Sequence, residues 1–183
     1  MKNTTKNITV TGVCIAIAVL LPMVFHTVPN GGSIFLPMHI PVLFCGLACG
    51  WQYGLLCGMI SPILSSLITG MPPAAKLPSM VVELAVYGLA ASLMMLLLKV
   101  NIKTLKLYLS LVIAMLAGRL ASGIVGALIF ARGTFAVSAW LTASFVTGLP
   151  GITIQLVIIP LLYTVLVKAK LLPSDSAKGK SNG

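Results

Sequence analysis

The chain has 183 residues, of which 58% are hydrophobic and 8% charged, and its mean hydropathy is +1.10. So few charges cannot solvate the surface of a globule of this size, since soluble domains are typically about a quarter charged. The formal net charge of +10 would point to nucleic acid in a soluble protein, but here the basic residues sit at chain ends and in short connections. No nucleic-acid partner is expected.

Six apolar runs have the length of membrane spans: 8–26, 35–50, 51–69, 78–99, 107–130 and 140–167. A hydrocarbon core takes roughly 20 apolar residues to cross as a helix. The first run follows Lys2 and Lys6, but it is long for a signal peptide and His26-Thr27-Val28-Pro29 is no cleavage pattern. It is read as a retained first helix. Gly12 and Ala16 give it a small-x-x-x-small face, and Cys14 and Ala18 give a second one close by. Such faces let another helix approach closely, within the bundle or from a partner subunit.

The second run is short and carries Pro37 and Pro41, which are expected to interrupt it. Proline frees backbone groups that a neighbour or a cavity must satisfy. Gly50-Trp51-Gln52-Tyr53-Gly54 reads as a tight turn into the third run, while 27–34 and 70–77 read as loops. Residues 1–170 form one six-helix membrane domain, and 171–183 read as a flexible cytoplasmic tail rich in Ser, Lys and Gly.

Lysine and arginine set the orientation. With the N-terminus inside, the cytoplasmic side holds Lys2, Lys6, Lys99, Lys103, Lys106, Lys168, Lys170, Lys178 and Lys180, and the outer side holds Lys76 and Arg132. Nine against two is a positive-inside pattern. The fold class expected is therefore an all-α integral membrane protein, a bundle of six transmembrane helices with N and C termini cytoplasmic. A cytoplasmic-membrane location goes with it.

Catalytic signatures are missing. The chain contains no Gly-x-x-x-x-Gly-Lys-Ser/Thr loop, no Gly-x-Ser-x-Gly elbow and no His-Glu-x-x-His helix. Its two acids are Glu83 and Asp175, and with Asp175 in the tail a pair of catalytic carboxylates is excluded. Cys14, Cys45, Cys49 and Cys57 all lie in apolar runs and read as small buried side chains rather than metal ligands or disulfides. No enzyme, cofactor or metal site is expected.

Ionisable residues within a membrane are costly and mark function by default. Glu83 lies one to two turns inside the outer end of the fourth run, and Arg119 lies near the middle of the fifth. They pair with each other, or one or both line a polar pocket in which Arg119 holds an anionic or carbonyl group. His39 stands between the two prolines. Asn30, Ser33, Tyr87, Ser122, Trp140, Ser144, Thr147 and Gln155 add polar groups in the outer half or near the middle, and the inner half is almost wholly aliphatic. Together these residues outline a small pocket open to the outside.

Several segments resemble a known family. They are the Gly12/Ala16 face, Gly31-Gly32-Ser33-Ile34-Phe35-Leu36-Pro37-Met38-His39-Ile40-Pro41, Gly46-Leu47-Ala48-Cys49-Gly50-Trp51-Gln52-Tyr53-Gly54, Ser65-Ser66-Leu67-Ile68-Thr69-Gly70-Met71-Pro72-Pro73, Glu83-Leu84-Ala85-Val86-Tyr87-Gly88 and Gly148-Leu149-Pro150-Gly151-Ile152. With the size and six spans, they are similar to the substrate-binding S components of energy-coupling factor (ECF) vitamin transporters over roughly 8–168. Where many relatives have Gly-Pro before a basic residue, this chain has Gly50-Trp51-Gln52.

The resemblance implies a carrier that takes a vitamin-like small molecule from outside, beneath the 27–34 loop. It then works with a transmembrane coupling subunit and two cytoplasmic ATPases, with Gly12 and Ala16 on the docking face. Two other readings stay open from the residues alone. A self-sufficient secondary transporter or channel would use Glu83 and Arg119, and a non-transport membrane scaffold would use only the small-residue faces.

Overall fold

Backbone N–H and C=O groups in hydrocarbon must bond within the protein, and a helix meets that requirement segment by segment. The computed structural model describes residues 2–24, 31–129 and 137–169. Among these residues there are helices and turns but no strand. The elements are α1 (Lys2–Val24), α2 (Gly31–Phe35), α3 (His39–Cys49), α4 (Trp51–Thr69), α5 (Leu77–Leu97), α6 (Lys103–Ile129), α7 (Val137–Leu141), a π-helical turn (Thr142–Thr147) and α8 (Leu149–Lys168). The expected tail 171–183, Asn30, His26 and Arg132 lie outside the described residues.

Among the described residues five helices are long and apolar enough to cross a membrane: Thr4–Val24, Trp51–Thr69, Leu77–Leu97, Lys103–Leu128 and Leu149–Lys168. Their outward faces carry bare hydrophobic side chains such as Val24, Leu67, Leu97 and Leu128. In water such a surface would drive association; in lipid it is the solvated face.

The second expected span differs. Leu36 takes a left-handed φ of 48°, and Pro37 follows it, so the helical run of 35–50 divides there into the short α2 and α3. Pro41 does not interrupt anything. It sits in the first turn of α3, where a missing N–H leaves no helical bond unmade. At 11 residues α3 is about 16 Å long, half of a typical hydrocarbon core. Nine of those residues are buried. This helix is the middle of the bundle, not a lipid-facing span, and it packs on α5, α4, α1 and α8.

The turn after α3 is also tighter than the expected five residues. Gly50 alone reverses the chain at φ 104°, a conformation open to glycine and strained for other residues. Trp51 to Gly54 already form the first turn of α4, with Gly54 N–H donating to Gly50 O at 2.9 Å. At its other end α4 stops on Gly70, left-handed at φ 72°, whose N–H donates to Ser66 O. Ser65 and Ser66 donate their hydroxyls to the carbonyls of Met71 and Pro72 at 2.8 and 2.9 Å. The loop into α5 is thereby tied to the helix before it.

Where α3, α4 and α5 cross, glycines carry the contact. A Cβ at Gly46 would overlap the carbonyl of Gly88, one at Gly54 would meet Gly88 and Gly46, and one at Gly88 would overlap the backbone of Gly54. Gly58, one turn along α4, lies equally close to the backbone of Leu84. Without a hydrophobic drive between helices in lipid, this close backbone approach is what packing has to offer.

The sixth expected span, 140–167, is not one helix either. α7 passes into the π-helical turn, and α8 restarts at Leu149 with Pro150 in its first turn. Proline lacks the N–H that a continuous helix would need there. Single π turns inside helices are frequent at functional sites.

Candidate functional site

Two polar clusters form where α3, α5, α6 and the α7–α8 segment meet. The first joins α3 to α5. His39 opens α3, with its N–H donating to Leu36 O at 3.1 Å, so the kink at Leu36 and Pro37 aims it into the bundle. Its Nε2 stands 3.6 Å from Glu83 Oε1. That is an ion-pair distance for a protonated imidazole but longer than a hydrogen bond. One turn along α5, the Tyr87 hydroxyl donates to the same Glu83 oxygen at 3.1 Å. The His39 and Tyr87 rings meet edge to face with centroids 5.2 Å apart.

Gly118 makes room for this arrangement. A Cβ there would overlap the Tyr87 ring, so α6 can close over a fully buried tyrosine. The next residue is Arg119, which centres the second cluster. Its Nη1 donates to the carbonyl of Ser144 in the π-helical turn. Its Cζ stands 5.6 Å above the Phe145 ring centroid, a cation–π contact. Trp140 meets Phe145 edge to face at 6.2 Å and lies on the bare backbone of Gly123. The Ser122 hydroxyl turns back to the Arg119 carbonyl at 3.0 Å.

Glu83 and Arg119 are not an ion pair. Glu83 spends its carboxylate on His39 and Tyr87, while Arg119 is held by main chain and an aromatic face. Both Glu83 and the Tyr87 hydroxyl remain within electrostatic reach of Arg119, so the two clusters form one polar region.

Several buried polar atoms in this region have no hydrogen-bond partner among the described residues. They are both ring nitrogens of His39, Nε and Nη2 of Arg119, and both amide atoms of Gln155. Arg119 is 3% exposed and Gln155 is 0% exposed. Buried polar groups are nearly always bonded, and leaving one unmade costs about 1–3 kcal/mol. His39 and Arg119, both in the clusters above, mark a candidate site.

Gln155 lies on the face of α8 that also carries Gly148 and Gly151. Gly151 packs on the backbone of Ile34 and Phe35, and a Cβ at Gly148 would stand 3.3 Å from Arg119 Nη2. Two helical turns, about 10 Å, separate Gln155 from Gly148 along the helix. Thr147 is half-buried in the π-helical turn. Asn30 lies outside the described residues.

Of the residues expected from the sequence, the structure thus brings together His39, Glu83, Tyr87, Arg119, Ser122 and Trp140, with Gln155 further along α8. Gly12 and Ala16 are exposed on α1, and no atom lies within 4 Å of a Cβ built on Gly12. Cys14 and Ala18 face inward and are buried. The two small-residue faces of α1 therefore have different neighbours. None of the four cysteines forms a disulfide, and all four are buried; Cys45 Sγ lies 3.5 Å from Thr11 Oγ1 and 3.7 Å from Tyr53 O.

Reading the sequence missed Phe145, Gly118, Gly123 and the Ser144 carbonyl. Gly118 beside Arg119 offered a signal, because a glycine next to an intramembrane charge marks a close approach. The carbonyl of Ser144 offered none, since only the π-helical turn frees it.

Residues 6–163 match the model of the family described as ECF transporter, substrate-specific component. Comparisons with curated proteins and with solved structures give no match. A multi-pass apolar bundle with a candidate buried polar site is the architecture such a component needs. The chain belongs to the substrate-specific components of ECF transporters, non-catalytic membrane subunits that bind a small-molecule substrate.

Proposed function

We propose that this subunit captures a vitamin or vitamin precursor from outside the cell and delivers it inward with a transmembrane coupling subunit and two cytoplasmic ATPases. The observation that carries the reading is the set of unpartnered buried polar atoms on His39, Arg119 and Gln155. Glu83, Tyr87, Ser122, Trp140, Thr147 and Asn30 complete the proposed pocket. Trp140, Tyr87 and Phe145 supply aromatic faces for a flat ring.

Residues 1–170 act as one membrane domain in the cytoplasmic membrane. In the proposed topology α2 and α3 together make the second of six passes, and both termini are cytoplasmic. Nine cytoplasmic lysines against Lys76 and Arg132 outside support this orientation. Labelling intact cells with a membrane-impermeant maleimide checks it. A cysteine at Met71 should react from outside, and one at Ile102 should react after permeabilisation alone. The reverse pattern would invert the topology.

Direct titration of the purified subunit with a panel of B vitamins and their precursors tests the function. One compound should bind at micromolar affinity or tighter. A folded protein that binds none of them would refute the reading.

A further inference from the structure

We infer that the substrate is an anion whose carboxylate or phosphate seats on the Nε/Nη2 edge of Arg119. The inference rests on the substrate pocket proposed above and names the chemistry that the pocket selects.

The guanidinium is fixed on two sides. Nη1 is committed to the Ser144 carbonyl, and Cζ stands 5.6 Å from the Phe145 ring centroid. The two nitrogens left without a partner are Nε and Nη2. They are neighbours on one edge of the planar group, and their N–H bonds run parallel, the arrangement that matches two oxygens of one carboxylate or phosphate. Gly148 keeps the space beside Nη2 clear of a side chain, since a Cβ there would stand 3.3 Å away.

Among the described residues no carboxylate is paired with that edge. Its two acids are Glu83 and Asp175. Glu83 is engaged by His39 and Tyr87 and forms no ion pair with Arg119, and Asp175 is far along the chain, in the C-terminal tail. A buried guanidinium without a carboxylate is an expensive arrangement. A neutral ligand would leave the guanidinium with no charge partner nearer than Glu83, which it does not touch. An oxyanion would neutralise it and complete both missing hydrogen bonds at once.

Matched probes that differ in this one group test the inference on the purified full-length subunit. Nicotinate against nicotinamide and pantothenate against panthenol form the carboxylate arm. Pyridoxal 5′-phosphate against pyridoxal forms the phosphate arm. In at least one pair the anion should bind about 100-fold tighter than its neutral mate, and the arm that responds identifies the oxyanion. For that anion R119K should weaken binding about tenfold, because an ammonium cannot make the two parallel bonds, and R119Q should erase the preference.

A neutral member that binds as well as its anion, or better, overturns the inference and leaves the substrate-binding reading standing. A folded protein that binds none of these six probes but binds a neutral member of the wider vitamin panel overturns the inference alone, and one that binds no member of that panel overturns both. An anion preference that R119K and R119Q leave intact overturns the assignment to Arg119. If R119Q does not fold, the wild-type ratio within each pair and R119K decide the matter.

Discussion

A leucine at Gly88 is expected to prevent the bundle from assembling. The Gly88 backbone lies against the backbones of both Gly54 and Gly46, so even a methyl group would overlap the carbonyl of Gly54. No side chain can rotate away to relieve this, because the atoms in the way are main chain. Separating α5 from α4 and α3 would break two of the three most extensive helix interfaces among the described residues and expose Leu84, Tyr87 and Ala91, all fully buried. Overpacking of this kind costs about 3 kcal/mol or more, a large share of the 5–15 kcal/mol that holds a typical domain together. In detergent, Gly88→Leu should elute as aggregate in size-exclusion chromatography and lose its cooperative thermal transition. Gly12→Leu is the control, since open space surrounds Gly12, and its melting midpoint should match the wild type. A monodisperse Gly88→Leu protein with an unchanged midpoint would refute the three-helix crossing.

Leucines at both Gly12 and Ala16 are expected to stop transport while leaving substrate binding intact. Both positions are exposed on α1, away from His39, Glu83 and Arg119. The inward pair, Cys14 and Ala18, already packs against the bundle, so the outward pair is free for another helix. Backbone approach across small residues is the main source of helix affinity in lipid, and two leucines would hold a partner several ångströms away. Uptake by cells expressing the complete transporter should fall at least about tenfold, and co-purification of the coupling subunit should be lost. Substrate titration of the isolated variant should match the wild type. Normal uptake by the double variant would move the docking face elsewhere on the molecule.

Much of the candidate site was legible because charge is rare in this chain. With Glu83 as the one acid before the tail and Arg119 as the one basic residue inside an apolar run, the membrane argument selects them without any geometry. His39 was legible through its flanking prolines, although the reason differs from the expected one. Pro41 belongs to a regular first turn, and the break is at Leu36 and Pro37. The Gly54-x-x-x-Gly58 spacing in α4 was open to the same small-residue argument applied to α1, and it marks the tightest helix crossing.

Composition and charge distribution by themselves determined that this is a helical membrane protein, because hydrocarbon admits few other solutions for backbone hydrogen bonding. They also determined where its polar residues concentrate. Tertiary structure alone decided that α3 is a short central helix, since burial on all sides depends on neighbours and not on hydropathy. It alone decided the partners of the two intramembrane charges. Spacing along the chain allowed Glu83 and Arg119 to pair, but a tyrosine one turn away and a histidine on another helix reached the carboxylate. The guanidinium was left to a carbonyl that appears only when the α7–α8 backbone leaves the regular helical path.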